Sequence, residues 1–194
     1  MIKRIMDIAG SFLLLVMLAP WMLIIAVLIV IDSDGGVFFP QRRCGKDGVD
    51  FIMYKFRTMV KNADEIKEEL VNEVEGPVFK VKDDPRITRA GRFLRKWSID
   101  ELPQLFNVLR GDMSLVGPRP LEESEMVGDD NWKSARLSIK PGLTGLWQVM
   151  GRDTCKFIDW VNYDIKYVEN QSLFLDFKIL FLTIGAVLGR KGSC

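Results

Sequence analysis

From Ile8 to Ile31 the chain runs for 24 residues without a charged side chain. A helix of that length reaches roughly 36 Å, against a bilayer hydrocarbon core of about 30 Å, so the segment predicts a membrane helix. A secretory signal peptide would share the basic start at Lys3 and Arg4. Its apolar region, however, spans only about 7–15 residues and precedes a small-residue cleavage site, which does not follow here. Pro20 near the middle removes one helical hydrogen bond and crowds the preceding turn, so a kink is expected near Ala19-Pro20. Lys3 and Arg4 on one flank, and Arg42, Arg43 and Lys46 on the other, all favour the cytoplasmic side. A kinked spanning helix and a re-entrant hairpin returning to the same face both remain open from these residues.

The remainder of the 194 residues suffices for one globular domain. With 27 basic against 26 acidic residues, total charge favours no polyanionic partner, and no nucleic acid is expected. The absence of histidine excludes mechanisms built on an imidazole base, nucleophile or metal ligand. Cys44, Cys155 and Cys194 are widely spaced and odd in number, which suits reduced thiols facing the cytosol better than a disulfide framework or zinc site.

Val37 to Phe39 and Val49 to Tyr54 are β-type runs around an Asp47-Gly48 turn signal, which predicts a small hairpin. Residues 61–74 read as an exposed helix stopped by Gly76-Pro77. Arg86, Arg89, Arg92 and Arg95 recur every third residue along a predicted helix. Such a stripe is either a solvated face or a cradle for phosphate or anionic headgroups. Ser98 and Glu101 then have capping-box spacing at a helix start, where Asp100 and Glu101 offset the helix dipole or meet a phosphate. Arg119 stands between Pro118 and Pro120, a rigid presentation of one guanidinium. A second Pro/Gly-rich stretch, Lys140 to Val149, leads to Arg152; tight turns beneath a core would explain both stretches equally. Ser172 to Gly189 is apolar but carries Asp176 and Lys178, so an amphipathic helix lying in the interface fits as well as core packing.

Taken in order, Lys3-Arg4, Phe39 to Arg43, Lys55 to Met59, Asp84 to Thr88, Ser98 to Asn107, Gly117 to Pro120, Pro141 to Gly145 and Gln148 to Arg152 resemble the monotopic phosphoglycosyl transferases, or bacterial sugar transferases. The resemblance implies an α+β, mainly helical, monotopic membrane protein. Residues 1–34 would form a re-entrant helix bent near Ala19 and Pro20, and residues 35–194 a catalytic domain on the cytoplasmic face of the bacterial inner membrane, with a small β-hairpin and interfacial amphipathic helices. Relatives commonly place Ser where Ala19 stands. The implied reaction moves a sugar-1-phosphate from a UDP-sugar to polyprenol (undecaprenyl) phosphate through a phosphosugar-aspartyl intermediate, releasing UMP and initiating glycoconjugate or exopolysaccharide assembly. Asp100 would be the nucleophile and Glu101 a Mg²⁺ ligand; Arg95, Arg119 and Arg152, with Lys55 and Arg57, would contact phosphate. Monomer and homodimer both remain open, and control through further N-terminal spans is not expected. Two rivals are a membrane-bound glycosyl transferase releasing UDP and a non-catalytic membrane-tethered binding module.

Overall fold

A computed structural model describes residues 1–73, 77, 79, 81–128, 130–151 and 157–189. The first element, α1 (Ile2–Asp32), is one helix of 31 residues, about 46 Å long. It is long and apolar enough to cross a membrane. Pro20 lies inside it, and the helix continues on either side. Asp7, Ser11, Leu15, Met22 and Ile29 are buried along one stripe, with Leu18 and Ile25 partly so. That spacing of three and four is one helix face. The other faces, including Phe12, Val16, Trp21 and Leu28, expose apolar side chains.

Both ends of α1 are tied to the same domain. At the N-terminal end Lys3 Nζ bonds to Asp176 Oδ2 at 2.7 Å and to the Val116 carbonyl at 3.0 Å. Arg4 donates to the Val108 and Leu109 carbonyls, at the last turn of α4 (Gln104–Arg110), where a cation suits the helix dipole. Asp7 accepts from Ser114 Oγ and the Leu115 amide. At the C-terminal end Asp32 accepts from the Ala90 amide in the first turn of α3 (Arg89–Lys96), while Arg57 donates to the Ile29, Ser33 and Asp34 carbonyls. The basic N-terminal flank is therefore bonded to protein.

The expected hairpin is present as β1 (Phe38–Cys44) antiparallel to β2 (Asp50–Phe56). Both Asp47 and Gly48 take positive φ at its turn, as an Asp-Gly signal requires. Strand β1 runs further than its apolar start suggested, through Pro40 to Cys44. The outer edge of β2 is closed by one side chain: Asn107 accepts from the Tyr54 amide and donates to the Ile52 carbonyl. This satisfies edge groups that would otherwise need a further strand and seats α4 against β2.

The exposed helix expected over 61–74 is shorter, α2 (Ala63–Glu68). Both Pro/Gly-rich stretches contain strands: β3 (Ser114–Val116) pairs in parallel with β4 (Gly142–Thr144). Gly117 and Gly142 allow the close approach, since a Cβ on Gly142 would collide with the Gly117 backbone. Helix α5 (Asp130–Leu137), between β3 and β4, and helices α6 (Leu146–Met150) and α7 (Phe157–Glu169), after β4, surround a second core packed through Leu121, Trp132, Trp147 and Trp160.

The last helix, α8 (Leu173–Leu188), is capped by Ser172. It buries Ile179 and Ala186 in the core yet leaves much of its apolar surface uncovered. Asp176 faces inward with no exposed surface, whereas Phe174, Phe177, Phe181, Ile184 and Leu188 form an exposed apolar row. The main core joins α1, β2, α3, α4, β3, α7 and α8. Cys44 is a free thiol; Cys155 and Cys194 lie outside the described residues.

Candidate active site

The acidic pair sits on a tight turn fixed from both sides. Helix α3 is held against β2's continuation, because Gly91 abuts the Thr58 carbonyl too closely for any Cβ. Arg95 Nε, from the same helix, donates to Thr58 Oγ1 at 2.8 Å. Ser98 then adopts φ 54°, left-handed backbone that costs a non-glycine residue on the order of 1–3 kcal/mol. This reversal feeds a single 3-10 turn, Ile99–Glu101.

The anticipated capping box is absent: Ser98 makes no side-chain cap, and α4 begins only at Gln104, after Pro103. The left-handed Ser98 turns away from the position from which a cap side chain could reach the third amide. The expected helix does follow, as α4, but a 3-10 turn precedes it and Ser98 does not cap it. The regular Arg stripe is also broken. Arg86 precedes α3 and is buried in a two-pronged pair with Asp84, at 2.8 and 2.6 Å. Arg89, Arg92 and Arg95 are all exposed, but Arg95 alone of the stripe acts on the Asp100 carboxyl and is its contribution to the site.

Around the turn the structure gathers Lys55 from β2 and Arg119 from the loop after β3. Glu101 Oε1 receives both, Lys55 Nζ at 3.3 Å and Arg119 NH1 at 3.2 Å. One carboxylate oxygen thus sets the spacing of two cations. Asp100, 9% exposed, lies beside them. Burial pushes its carboxyl above the usual aspartate range and the Glu101 charge adds to this, opposed by Lys55, Arg95 and Arg119. Burial likewise lowers the Lys55 ammonium, with Arg119 and Arg43 pushing the same way against Glu101 and Asp100.

Arg119 owes its position to its backbone. Gly117 donates to the Thr144 carbonyl and Gly142 to that of Pro118, which locks the loop to β4. Arg136 of α5 donates to the Arg119 carbonyl and pairs with Asp164 of α7 at 2.8 Å, both nearly buried. The Asp164 carboxyl is raised to about 6 by that burial, despite Arg136.

Of the residues proposed from sequence, Asp100, Glu101, Lys55, Arg95 and Arg119 come together. Arg57 does not join them: its guanidinium serves the carbonyls at the end of α1. Arg152 lies outside the described residues.

Three contributors were missed. Arg43 is buried, bonded to Glu125 and Gln41, and close enough to act on Lys55 and Arg119. Strand alternation could have separated it from Arg42, which points outward to Asp50. No sequence signal marked Arg136. Gln148 had appeared only inside a motif, yet it lines a pocket with Lys55, Glu101 and Arg119.

Among the described residues no three Asp, Glu or Cys side chains are grouped to hold a metal. Adjacent Asp100 and Glu101 nevertheless fit Mg²⁺, which commonly uses one or two carboxylates and completes its shell with water and substrate phosphate. Buried carboxylates beside fixed cations can perform nucleophilic attack at a phosphorus centre while its anionic oxygens are held.

The bacterial sugar transferase family model matches residues 1–190. Among similar proteins, the UDP-galactose-lipid carrier transferase of Erwinia amylovora is 45% identical over 204 residues, covering 99% of this chain and 41% of that protein. The undecaprenyl-phosphate galactose phosphotransferase of Salmonella typhimurium is 44% identical, covering 99% and 41%. The exopolysaccharide production protein ExoY of Rhizobium meliloti is 42% identical, covering 100% and 88%. The chain thus spans less than half the length of some curated relatives and most of the length of others. With a match that begins at Met1 and runs through the acidic turn and the Arg119 loop into α8, the chain belongs to the bacterial sugar transferase family.

Proposed function

We propose that this chain transfers a sugar-1-phosphate from a UDP-sugar to polyprenol phosphate, releasing UMP, as the first membrane step of an exopolysaccharide or related glycoconjugate. The observation that carries the reading is the buried Asp100 beside two cations spaced by one Glu101 oxygen. The names of the similar proteins supply the donor and acceptor classes.

In this mechanism Lys55 and Arg119 hold the donor diphosphate, and Arg95 faces it from α3. An Asp100 carboxylate oxygen attacks the sugar-linked phosphorus; the phosphorus–oxygen bond to UMP breaks, and UMP leaves with that electron pair. The acceptor phosphate then attacks the same phosphorus, and the Asp100 carboxylate leaves unchanged. The same cations neutralise both approaches. Glu101, with Asp100, would hold Mg²⁺, which supplies charge neutralisation on the diphosphate when bound.

Helix α1 enters the cytoplasmic leaflet and returns, as a monotopic anchor, which requires this continuous helix to bend at Pro20 in the membrane. The support is that Lys3, Arg4 and Asp7 at one end and Asp32 at the other are bonded to one domain, which a helix crossing the bilayer would divide between two faces. The apolar row on α8 lies in the same interface. A thiol reporter placed before Met1 and one on Lys46 should be modified by an impermeant reagent from the same side; opposite sides would refute re-entry.

The reaction is tested by nucleotide release from purified protein in nanodiscs with Mg²⁺, undecaprenyl phosphate and a panel of UDP-sugars. UMP release from one donor, lost in Asp100→Asn, supports the reading. UDP release would replace it with glycosyl transfer, and no release from folded protein would favour a binding module.

A further inference from the structure

Gln148 is 4% exposed, yet among the described residues neither its Oε1 nor its Nε2 has a hydrogen-bond partner. Buried amide atoms are nearly always paired, and each orphan costs on the order of 1–3 kcal/mol. The fold makes room for this one. Gly145, which starts α6, has an extended backbone, and a Cβ there would stand 2.8 Å from Gln148 Oε1 and inside the Gly117 carbonyl. Gln148 lines the pocket shared by Lys55, Glu101 and Arg119, with its carboxamide buried in the wall.

The chemistry of the missing partner follows from the amide. It must donate to Oε1 and accept from Nε2. A phosphate oxygen only accepts, and a cation satisfies the oxygen while repelling the NH₂. A pair of neighbouring hydroxyls does both, as does the imide edge of a pyrimidine. The cations in the same pocket hold phosphate in the proposed reaction. From the transferred phosphorus a sugar hydroxyl is a few bonds away, whereas the base lies beyond a second phosphate and a ribose.

We propose that Gln148 is a specificity-determining residue that hydrogen-bonds hydroxyls of the transferred sugar. This inference rests on the sugar-phosphate transfer proposed above. An orphan kept for a ligand also implies a stability cost in the free protein.

The test compares wild type with Gln148→Met, close in volume and free of the amide, and with Gln148→Glu, which keeps the acceptor and loses the donor. Three quantities are read: donor KM for the UDP-sugar turned over fastest, the inhibition constant of UMP, and the unfolding midpoint without ligand. The expected result for Gln148→Met is a donor KM raised roughly 10–100-fold, unchanged UMP inhibition, and a midpoint raised by about 2–6 °C. Gln148→Glu should raise KM at least as far. An unchanged KM in both variants overturns the proposal. So does a parallel rise in KM and the UMP constant, which would place the contact on the nucleotide. A lowered midpoint in Gln148→Met would mean that a trapped water already satisfies the amide, and overturns it too. Failure of the parent reading looks different: wild type itself would neither turn over any UDP-sugar nor show a midpoint shift with one, and both proposals would fall.

Discussion

Replacing Lys3 by Met should destabilise the protein through a residue that sequence analysis treats only as a flanking charge. Asp176 has no exposed side-chain surface, and Lys3, 26% exposed, holds it at 2.7 Å. Tyr167 donates to the other oxygen at 2.6 Å. Removing one partner of a buried pair costs about 3–5 kcal/mol, because the survivor is left uncompensated. Partial exposure of Lys3 lets water reach the vacated place, which argues for the lower end, about 3 kcal/mol. For a chain of this size that is a fall of about 6–12 °C in unfolding midpoint. The assay is thermal unfolding in detergent of Lys3→Met, Asp176→Leu and the double variant. The double leaves no unpaired charge and should recover most of the loss. An unchanged Lys3→Met would show that Lys3 acts only on membrane orientation. A double variant as unstable as the sum of the singles would refute the pairing itself.

Because Asp100 is raised by burial and by Glu101, the acid limb of kcat/KM should lie above the ordinary aspartate range, activity growing as pH rises and the carboxylate forms; Glu101→Gln should move that limb downward in its residual activity. Lys55 is lowered, so activity should fall with rising pH before an ordinary lysine would lose its proton, and Lys55→Arg should remove this alkaline limb. Asp164→Leu leaves Arg136 buried and unpaired, which should cost about 3–5 kcal/mol in unfolding experiments and raise donor KM through the Arg119 carbonyl. Phe177→Ser with Phe181→Ser should weaken vesicle flotation without lowering the midpoint, since both rings are exposed.

The elements legible in the sequence are those whose signal is local. A long uncharged run, an Asp-Gly turn and the apolar stretch from Ser172 to Gly189 each announce themselves locally. The acidic pair and Arg119 were legible as motif residues, and the fold does bring them together. What failed were inferences that assumed regular continuation: the Arg stripe was read as one helix, but Arg86 pairs with Asp84 before α3 begins. The capping box was lost because Ser98 turns left-handed, a conformation imposed by neighbours on both sides. Arg57 has the right charge and the right motif, but the carbonyls it serves belong to residues 23 to 28 positions earlier. Gln148 and Arg136 were illegible because their meaning depends on partners that only tertiary packing supplies, or leaves unsupplied.

The seat of α1 also fixes an order of events during synthesis. Lys3 closes on Asp176 across 173 residues, and Asp7 on Leu115 across 108. At about 5–20 residues per second, Lys3 is made on the order of ten seconds or more before Asp176 exists. Through that interval Lys3 lacks its carboxylate partner, with the Val116 carbonyl available to it sooner. Asp176 of α8, made 173 residues after Lys3, therefore delivers the carboxylate that locks α1 down, and a ribosome stalled before residue 176 would leave that lock open.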